Sequence, residues 1–377
     1  MPPLSETCVW FLRHGESTFN VEHRCQGSSD APELTSRGCE AACLTGGRLA
    51  EEGIQAIISS PQRRATQTAG EVLKILRALG QSVTFETDER LREIDLYNWE
   101  GLHFEKISRH FPEQYGTWRL RPQEFHMRLA EGEVQYPVRN LYDRAHSFWN
   151  DLLASYAGKA ILLISHGGTI RALTTLAHGL GPEHFHRFQQ SNCGVSRVRF
   201  ANGSATARLE VLNDTAHLGQ QLPKLKEGRQ GARLLLIPVE EPNPEAVRCL
   251  AFGLEGVVID HLLAVGAAAR SATNQFLSSR SDSCQMFSEI TDAEAAVEQA
   301  LYRSSPGQLC HIAILGPQLA LRSVLRRQLG ISLEAAESLD LRPFQTTSVH
   351  CPLNGTPPVL QALNILKPIL SLAEVQP

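Results

Sequence analysis

Two histidines in this 377-residue chain stand in the same local setting. Each follows a short apolar run and precedes glycine: His14 in Arg13-His14-Gly15 after Cys8 to Leu12, and His166 in Ser165-His166-Gly167-Gly168 after Ala160 to Ile164. Between them lie Arg64, in the polar stretch Ser59 to Thr68, and Glu93, in the acidic segment Leu91 to Gly101. This set suits phosphoryl transfer, which needs a nucleophile in line with the leaving oxygen and fixed positive charge around three equatorial oxygens. An imidazole supplies the nucleophile. Arginine forks and a second histidine supply charge-assisted hydrogen bonds, worth about 1.5 to 3 kcal/mol each. We therefore expect His14 to take the phosphoryl group and Arg13, Arg64 and His166 to hold it. The leaving alcohol must also receive a proton. Glu93 is the candidate acid, returning as base for water, with Asp95 and Glu100 as alternatives in the same segment.

These residues need strands and helices to position them. Cys8 to Leu12 and Ala160 to Ile164 predict fully buried parallel strands. Helical spacing runs over Ser36 to Glu52, Arg63 to Leu79 and Arg139 to Tyr156. The alternation predicts an α/β fold, a doubly wound and mostly parallel sheet with helices on both faces. Ligands of such sheets bind beyond the carboxyl ends of the strands, where helix N-termini present free N–H groups to anions. Gly167-Gly168-Thr169 opens such a helix, so Gly167 joins the expected substrate-binding set.

The length allows two domains of roughly 100 to 200 residues each. We expect a catalytic domain over residues 1–220, a linker over 221–232, and a second α/β domain over 233–377. The second half matches the first weakly. His311 to Arg322 parallels Ala160 to Arg171, and Arg270-Ser271-Ala272-Thr273 parallels Arg64-Ala65-Thr66. Pro238-Val239 stands in place of Arg13-His14 and Pro317 in place of His166, so the expectation is a degenerate, non-catalytic copy.

Composition narrows the function classes. The net charge of −4, from 36 Lys and Arg against 40 Asp and Glu, comes without the like-charge block of a nucleic-acid arm or a membrane patch. Nine cysteines without metal-type pairs indicate reduced thiols in a cytoplasm rather than disulfides. Met1 to Thr7 lacks a signal peptide's pattern, and no apolar run reaches membrane length. His184 and His186 lack companions at metal spacing and are expected on a solvated helix face, so neither metal nor cofactor is expected. The absence of a GxxxxGK loop removes P-loop kinase chemistry. The expected partner is a small phosphorylated metabolite, with no nucleic acid and no membrane; a homodimer is allowed.

Phe11 to Asn20, Ser59 to Thr68, Leu91-Arg92-Glu93, Trp99-Glu100-Gly101 and Ser165 to Gly168 together resemble the histidine phosphatase superfamily, also called phosphoglycerate mutase-like. The resemblance covers about Cys8 to Leu218. It implies phosphorylation on His14, a phosphate pocket of Arg13, Arg64 and His166 joined by Asn20 as a neutral donor, and proton donation by Glu93. Leu91 to Tyr97, Tyr136 to Arg139 and Gln190 to Val195 are similar to the 2-carboxy-D-arabinitol-1-phosphatase branch. The two-domain layout with Thr215 to Gly219 resembles that branch's bacterial members. Two departures stand out: Tyr97 replaces a glycine common before the Trp-Glu-Gly turn, and Glu33 separates Pro32 from Leu34-Thr35.

The implied activity is hydrolysis of a small sugar phosphate or sugar-acid phosphate by a phosphomonoesterase. The alternatives are a phosphoglycerate mutase, and a catalytically weak phosphate-binding or assembly protein. Lys106, Arg109, Arg119, Arg121 and Arg128, with His103, His110 and His126, make Leu102 to Gln135 either a binder of acidic substrate or an exposed helical face.

Overall fold

The run Cys8 to Leu12 holds no polar side chain that could face water, so it must be covered on both sides. It does so in a parallel strand. The computed structural model describes residues 6–130, 132–280, 286–303 and 308–365. The chain divides into two compact units, Met1–Leu209 and Glu210–Pro377.

In chain order the first unit contains β1 (Thr7–Arg13), β2 (Ala56–Ser59), β3 (Thr84–Thr87), the short antiparallel pair β4 (Met127–Arg128) and β5 (Val134–Gln135), β6 (Ala160–Ser165), β7 (Val195–Phe200), and the start of β8 (Ala207–Asp214). The sheet order is β3-β2-β6-β1-β7, with the first four parallel and β7 antiparallel to β1. Arg13 lies opposite Ser165, and Ser59 opposite Ile164. The strands therefore end level, and His14, Ser60 and His166 leave the sheet side by side.

The expected helices form at Ser36–Leu49, Arg63–Ala78 and Pro137–Ser155, and another runs Gly167–Ala177. The first two pack together, as do the last two. Arg63–Ala78 buries Arg64, Ala65, Thr68, Ala69, Val72, Leu73 and Leu76, the three- and four-residue spacing of one helical face. Arg64 is thereby carried inward on the apolar side.

The segment Leu91 to Gly101 is pinned by aromatic packing. Trp99, 1% exposed, lies 4.9 Å from Phe125, which lies 5.1 Å from Trp118; Trp118 in turn meets Phe185 at 5.5 Å and His186 at 4.8 Å between ring centroids. His186 is thus packed in this cluster and bonded through Nε2 to the Trp118 carbonyl at 2.7 Å, not placed on a solvated helix face as expected. Truncating Trp99→Ala should cost about 3 to 5 kcal/mol, read as a lowered urea midpoint at unchanged slope. A loss under about 1 kcal/mol would mean that the cluster does not anchor the segment. Within Leu102 to Gln135, Arg109 pairs with Glu105 at 2.6 Å and Arg121 with Glu124 at 3.4 Å, all exposed, which favours the exposed-face reading for these two.

In the second unit β9 (Gly231–Pro238), β10 (His261–Val265), β11 (Met286–Ile290), β12 (Leu309–Gly316), β13 (Thr346–Cys351) and β14 (Val359–Ile365) follow. Their order, β11-β10-β12-β9-β13-β14, repeats β3-β2-β6-β1-β7 with the same directions and one further antiparallel strand. One hydrogen bond fixes the equivalence. His14 N–H donates to the Ser165 carbonyl at 2.9 Å, and Val239 N–H donates to the Gly316 carbonyl at 2.8 Å. Val239 therefore occupies the His14 position. Pro317, which caps the helix Gln318–Leu329, occupies that of His166, which caps Gly167–Ala177. The Arg270 likeness fails in three dimensions: Arg270 is exposed, whereas Arg64 is fully buried.

The division between the two compact units falls inside β8: Glu210 to Asp214 belong to the second unit, where Leu212 pairs with Leu363. Residues 221–232 are tied to that unit as well. Arg233 Nη2 donates to the Pro223 carbonyl at 2.7 Å, His350 Nε2 to the Gln230 carbonyl at 3.0 Å, and Gly231 and Ala232 already lie in β9.

Candidate active site

His14 leaves β1 in a tight corner. A Cβ on Gly15 would lie 2.6 Å from the Gly38 carbonyl oxygen, so only glycine lets the two segments meet. Gly15 N–H donates to Thr68 Oγ1 at 3.0 Å, which locks the corner to the Arg63–Ala78 helix. His14 itself is 1% exposed, and its Nδ1 lies 2.7 Å from the Gly15 carbonyl. A carbonyl oxygen only accepts, so Nδ1 carries the proton and Nε2 the lone pair of the neutral ring.

The His166 ring lies 5.2 Å from that of His14, centroid to centroid. Ser60 Oγ accepts from Gln62 N–H at 3.3 Å and sits 2.7 Å from His166 Nε2. With the serine hydroxyl donating to Nε2, the ring proton lies on Nδ1, which is buried without a hydrogen-bond partner. Burial holds His166 well below the usual histidine range, and the charges of Arg64 and Arg13 push the same way. The ring stays neutral and acts as a donor.

Arg13 Nη1 donates to the Gln190 carbonyl at 3.0 Å. Arg64, fully buried, donates through Nη1 to the Ser29 carbonyl at 2.7 Å and through Nη2 to that of Gly27 at 2.9 Å. Burial pushes both guanidinium groups down to about 10, so both remain cationic at neutral pH. The Nε of each is buried and unpartnered. A Cβ on Gly167 would come within 3.4 Å of Arg13 Nε, which sets this donor at the N-terminus of the Gly167–Ala177 helix. Three orphan donors beside one another suit a polyoxygen anion.

Glu93 sits across the same helix end. Its Oε2 accepts from Gly168 N–H at 3.1 Å and its Oε1 from Thr169 N–H at 3.1 Å and Ile94 N–H at 3.0 Å. A Cβ on Gly168 would lie 2.5 Å from Glu93 Oε1, so this glycine is what admits the carboxylate. The two alternatives are otherwise engaged. Glu100 Oε1 accepts from Ser28 N–H and Oγ and from Leu96 N–H, while Asp95 pairs with Arg92 at 3.1 Å and Arg144 at 4.0 Å. Asn20 Oδ1 accepts from Ser17 N–H and Oγ and from Asn192 Nδ2 at 3.0 to 3.1 Å, which leaves its Nδ2 as the donor.

Sequence reasoning assigned no role to Ser60, Gln62 or Asn192. Asn192 Nδ2 binds the carbonyls of His14 and Gly15 at 2.9 and 3.1 Å, from a turn in which Cys193 stands at φ 51°. All three lie inside quoted motifs, but nothing local marks what they reach. Tyr97 stands at φ 35°, so the glycine departure keeps a left-handed backbone at a cost of about 1 to 2 kcal/mol. Among the described residues, no group of three or more His, Cys, Asp or Glu is disposed to hold a metal ion.

A sequence profile of the histidine phosphatase superfamily, branch 1, matches residues 9–215. The chain belongs to that superfamily. It is 37% identical over 211 residues to the "Probable 2-carboxy-D-arabinitol-1-phosphatase" of Arabidopsis thaliana, a match spanning 55% of this chain and 42% of that relative. It therefore spans less than half the length of this plant relative. It is 34% identical over 215 residues to the "Probable phosphoglycerate mutase GpmB" of Citrobacter koseri, covering 56% of this chain and 94% of that one. Among solved structures, Bacillus stearothermophilus YhfR is similar at 28% identity and a TM-score of 0.49, over 56% of this chain and 99% of that one. In this superfamily member, no helix of the described residues is long and apolar enough to cross a membrane.

The helix bearing the site ends at His178, which burial pushes down to about 4. Unfolded, this ring titrates near 6.5, so the unfolded chain binds more protons between the two values and stability falls as pH drops through that window. The full span is worth about 3 kcal/mol, and His166 and His186 act in the same direction. The urea midpoint should fall between about pH 7.5 and about pH 5, and fall less in His178→Gln. Equal falls in both proteins would mean that His178 does not titrate on unfolding.

Proposed function

We propose that this chain is a phosphomonoesterase acting on a small sugar phosphate or sugar-acid phosphate through a phosphohistidine on His14. The observation that carries the reading is the set of orphan donors, Arg13 Nε, Arg64 Nε and His166 Nδ1, gathered around a histidine whose Nε2 has the lone pair. In the first half-reaction His14 Nε2 attacks phosphorus, the P–O bond to the substrate breaks, and Glu93 gives its proton to the leaving alkoxide. In the second, water attacks phosphorus, Glu93 takes its proton, the N–P bond breaks and inorganic phosphate leaves. Arg13, Arg64, His166, Asn20 and the Gly167 end of the helix hold the equatorial oxygens throughout.

Residues 1–220 form the catalytic part in this reading, and residues 233–377 a non-catalytic copy. Val239 and Pro317 offer no imidazole, and Glu240 Oε1 accepts from Gln318 N–H at 2.6 Å, setting a fixed carboxylate where an anion would bind. The partner is a small phosphorylated metabolite. The scattered spacing of the nine cysteines, without metal-type pairs, supports a cytoplasmic setting.

The mutase reading draws on the bacterial relative's name and shares the first half-reaction; only the acceptor differs. The experiment is metal-free turnover on sugar phosphates, sugar-acid phosphates and 3-phosphoglycerate, following free phosphate and isomer together. Phosphate release that disappears in His14→Ala is the expected result. Isomer formation without release would replace it with the mutase, and neither product with the binding protein.

A further inference from the structure

Gln62 is 4% exposed, has no reacting atom, and stands at the N-cap of the helix whose second residue is Arg64. Both ends of its amide are used. Oε1 accepts from the backbone N–H of Glu93 at 2.7 Å, and Nε2 donates to the Ser28 carbonyl at 2.8 Å. Glu93 N–H can only donate, so the amide has one admissible orientation. The carbonyls on either side of Ser28, those of Gly27 and Ser29, are the ones Arg64 grips. One helix end therefore binds three successive carbonyls of the 27–29 loop and, through the same side chain, the main chain of the proton donor.

We propose that Gln62 is a positioning residue for protonation of the leaving group: it sets Glu93 at a fixed height over the phosphate held by Arg64. The inference rests on the acid role given to Glu93 above. The other braces on Glu93 do not supply this link. Arg144 Nη2 holds the carbonyls of Arg92 and Glu93 at 2.6 and 3.1 Å, and the carboxylate binds the Gly167–Ala177 helix, but neither contact reaches the Arg64 loop. The Gln62 amide bonds both the acid's own main chain and the loop under the phosphate donor.

A residue that acts through the acid should matter in proportion to how much the leaving group needs a proton. A nitrophenolate leaves unprotonated, whereas the alkoxide of glycerol phosphate cannot. In Gln62→Met, kcat/KM for glycerol phosphate should fall by about 10²-fold and that for p-nitrophenyl phosphate by under about 3-fold, since a misplacement near 1 Å costs on this order. Gln62→Asn keeps an amide one methylene shorter and is the milder variant, expected to show the same pattern at smaller size should Gln62→Met not fold. Glu93→Gln, assayed alongside, should show the pattern most strongly. An equal loss on both esters in a folded Gln62 variant, or no loss on either, overturns the proposal while the acid assignment stands. An equal loss on both esters in Glu93→Gln overturns the acid assignment and this proposal together.

Discussion

His14→Ala is expected to lower turnover by on the order of 10⁶ and to leave no phosphoenzyme. The size follows from what the residue does. His166, the other imidazole beside the orphan donors, has its Nε2 engaged by Ser60 and its Nδ1 left as a donor. Rapid quenching with labelled substrate is the measurement. A P–N bond is labile in acid and stable in alkali, which separates phosphohistidine from a serine or aspartyl ester. Label that persists in His14→Ala would end the mechanism; label that maps to residues 233–377 would also end the reading of that half as non-catalytic.

Arg64→Ala is expected to slow phosphorylation by about 10² to 10³ without abolishing it, as loss of a transition-state donor does. A second loss should accompany it. Without the guanidinium the carbonyl of Gly27 loses its donor, at about 1 to 3 kcal/mol where water cannot replace it, and that of Ser29 keeps only the longer bond from Gln62 Nε2 at 3.4 Å. Arg64→Lys should recover little of either, since an ammonium cannot serve two carbonyls and a phosphate from one plane. The phosphorylation rate and the urea midpoint separate the two roles. A lowered midpoint with an unchanged rate would confine Arg64 to the structural one.

The superfamily fold was legible because its signals are local. An apolar run ending in His-Gly states that a strand ends and the chain turns, and Thr7–Arg13 and Ala160–Ser165 formed within a residue of expectation. The repeat in the second half was legible in strand β12 and its helix, where His311 to Arg322 keeps the pattern of Ala160 to Arg171. It misled at Arg270, because a helix turns each successive residue by about a quarter of its circumference and a small register shift moves an arginine from the core to the surface. The composition of 221–232 is that of an exposed segment, and Arg233 and His350 reach it from strands of the sheet.

By itself the sequence determined which residue types are available for phosphoryl transfer and that strand ends carry two of them, because strand, turn and glycine requirements are properties of adjacent residues. Only the tertiary structure decided which carboxylate meets the helix N-terminus, which histidine nitrogen is left with a lone pair, and what holds the acid over the phosphate site. Those answers depend on partners far apart in the chain: Gln62 and Glu93 are separated by 31 residues, Glu93 and Gly168 by 75, Asn192 and His14 by 178. Glu93, Asp95 and Glu100 are equivalent as letters. They differ only because a close-packed fold offers one of them free N–H donors and the others a serine turn or an arginine.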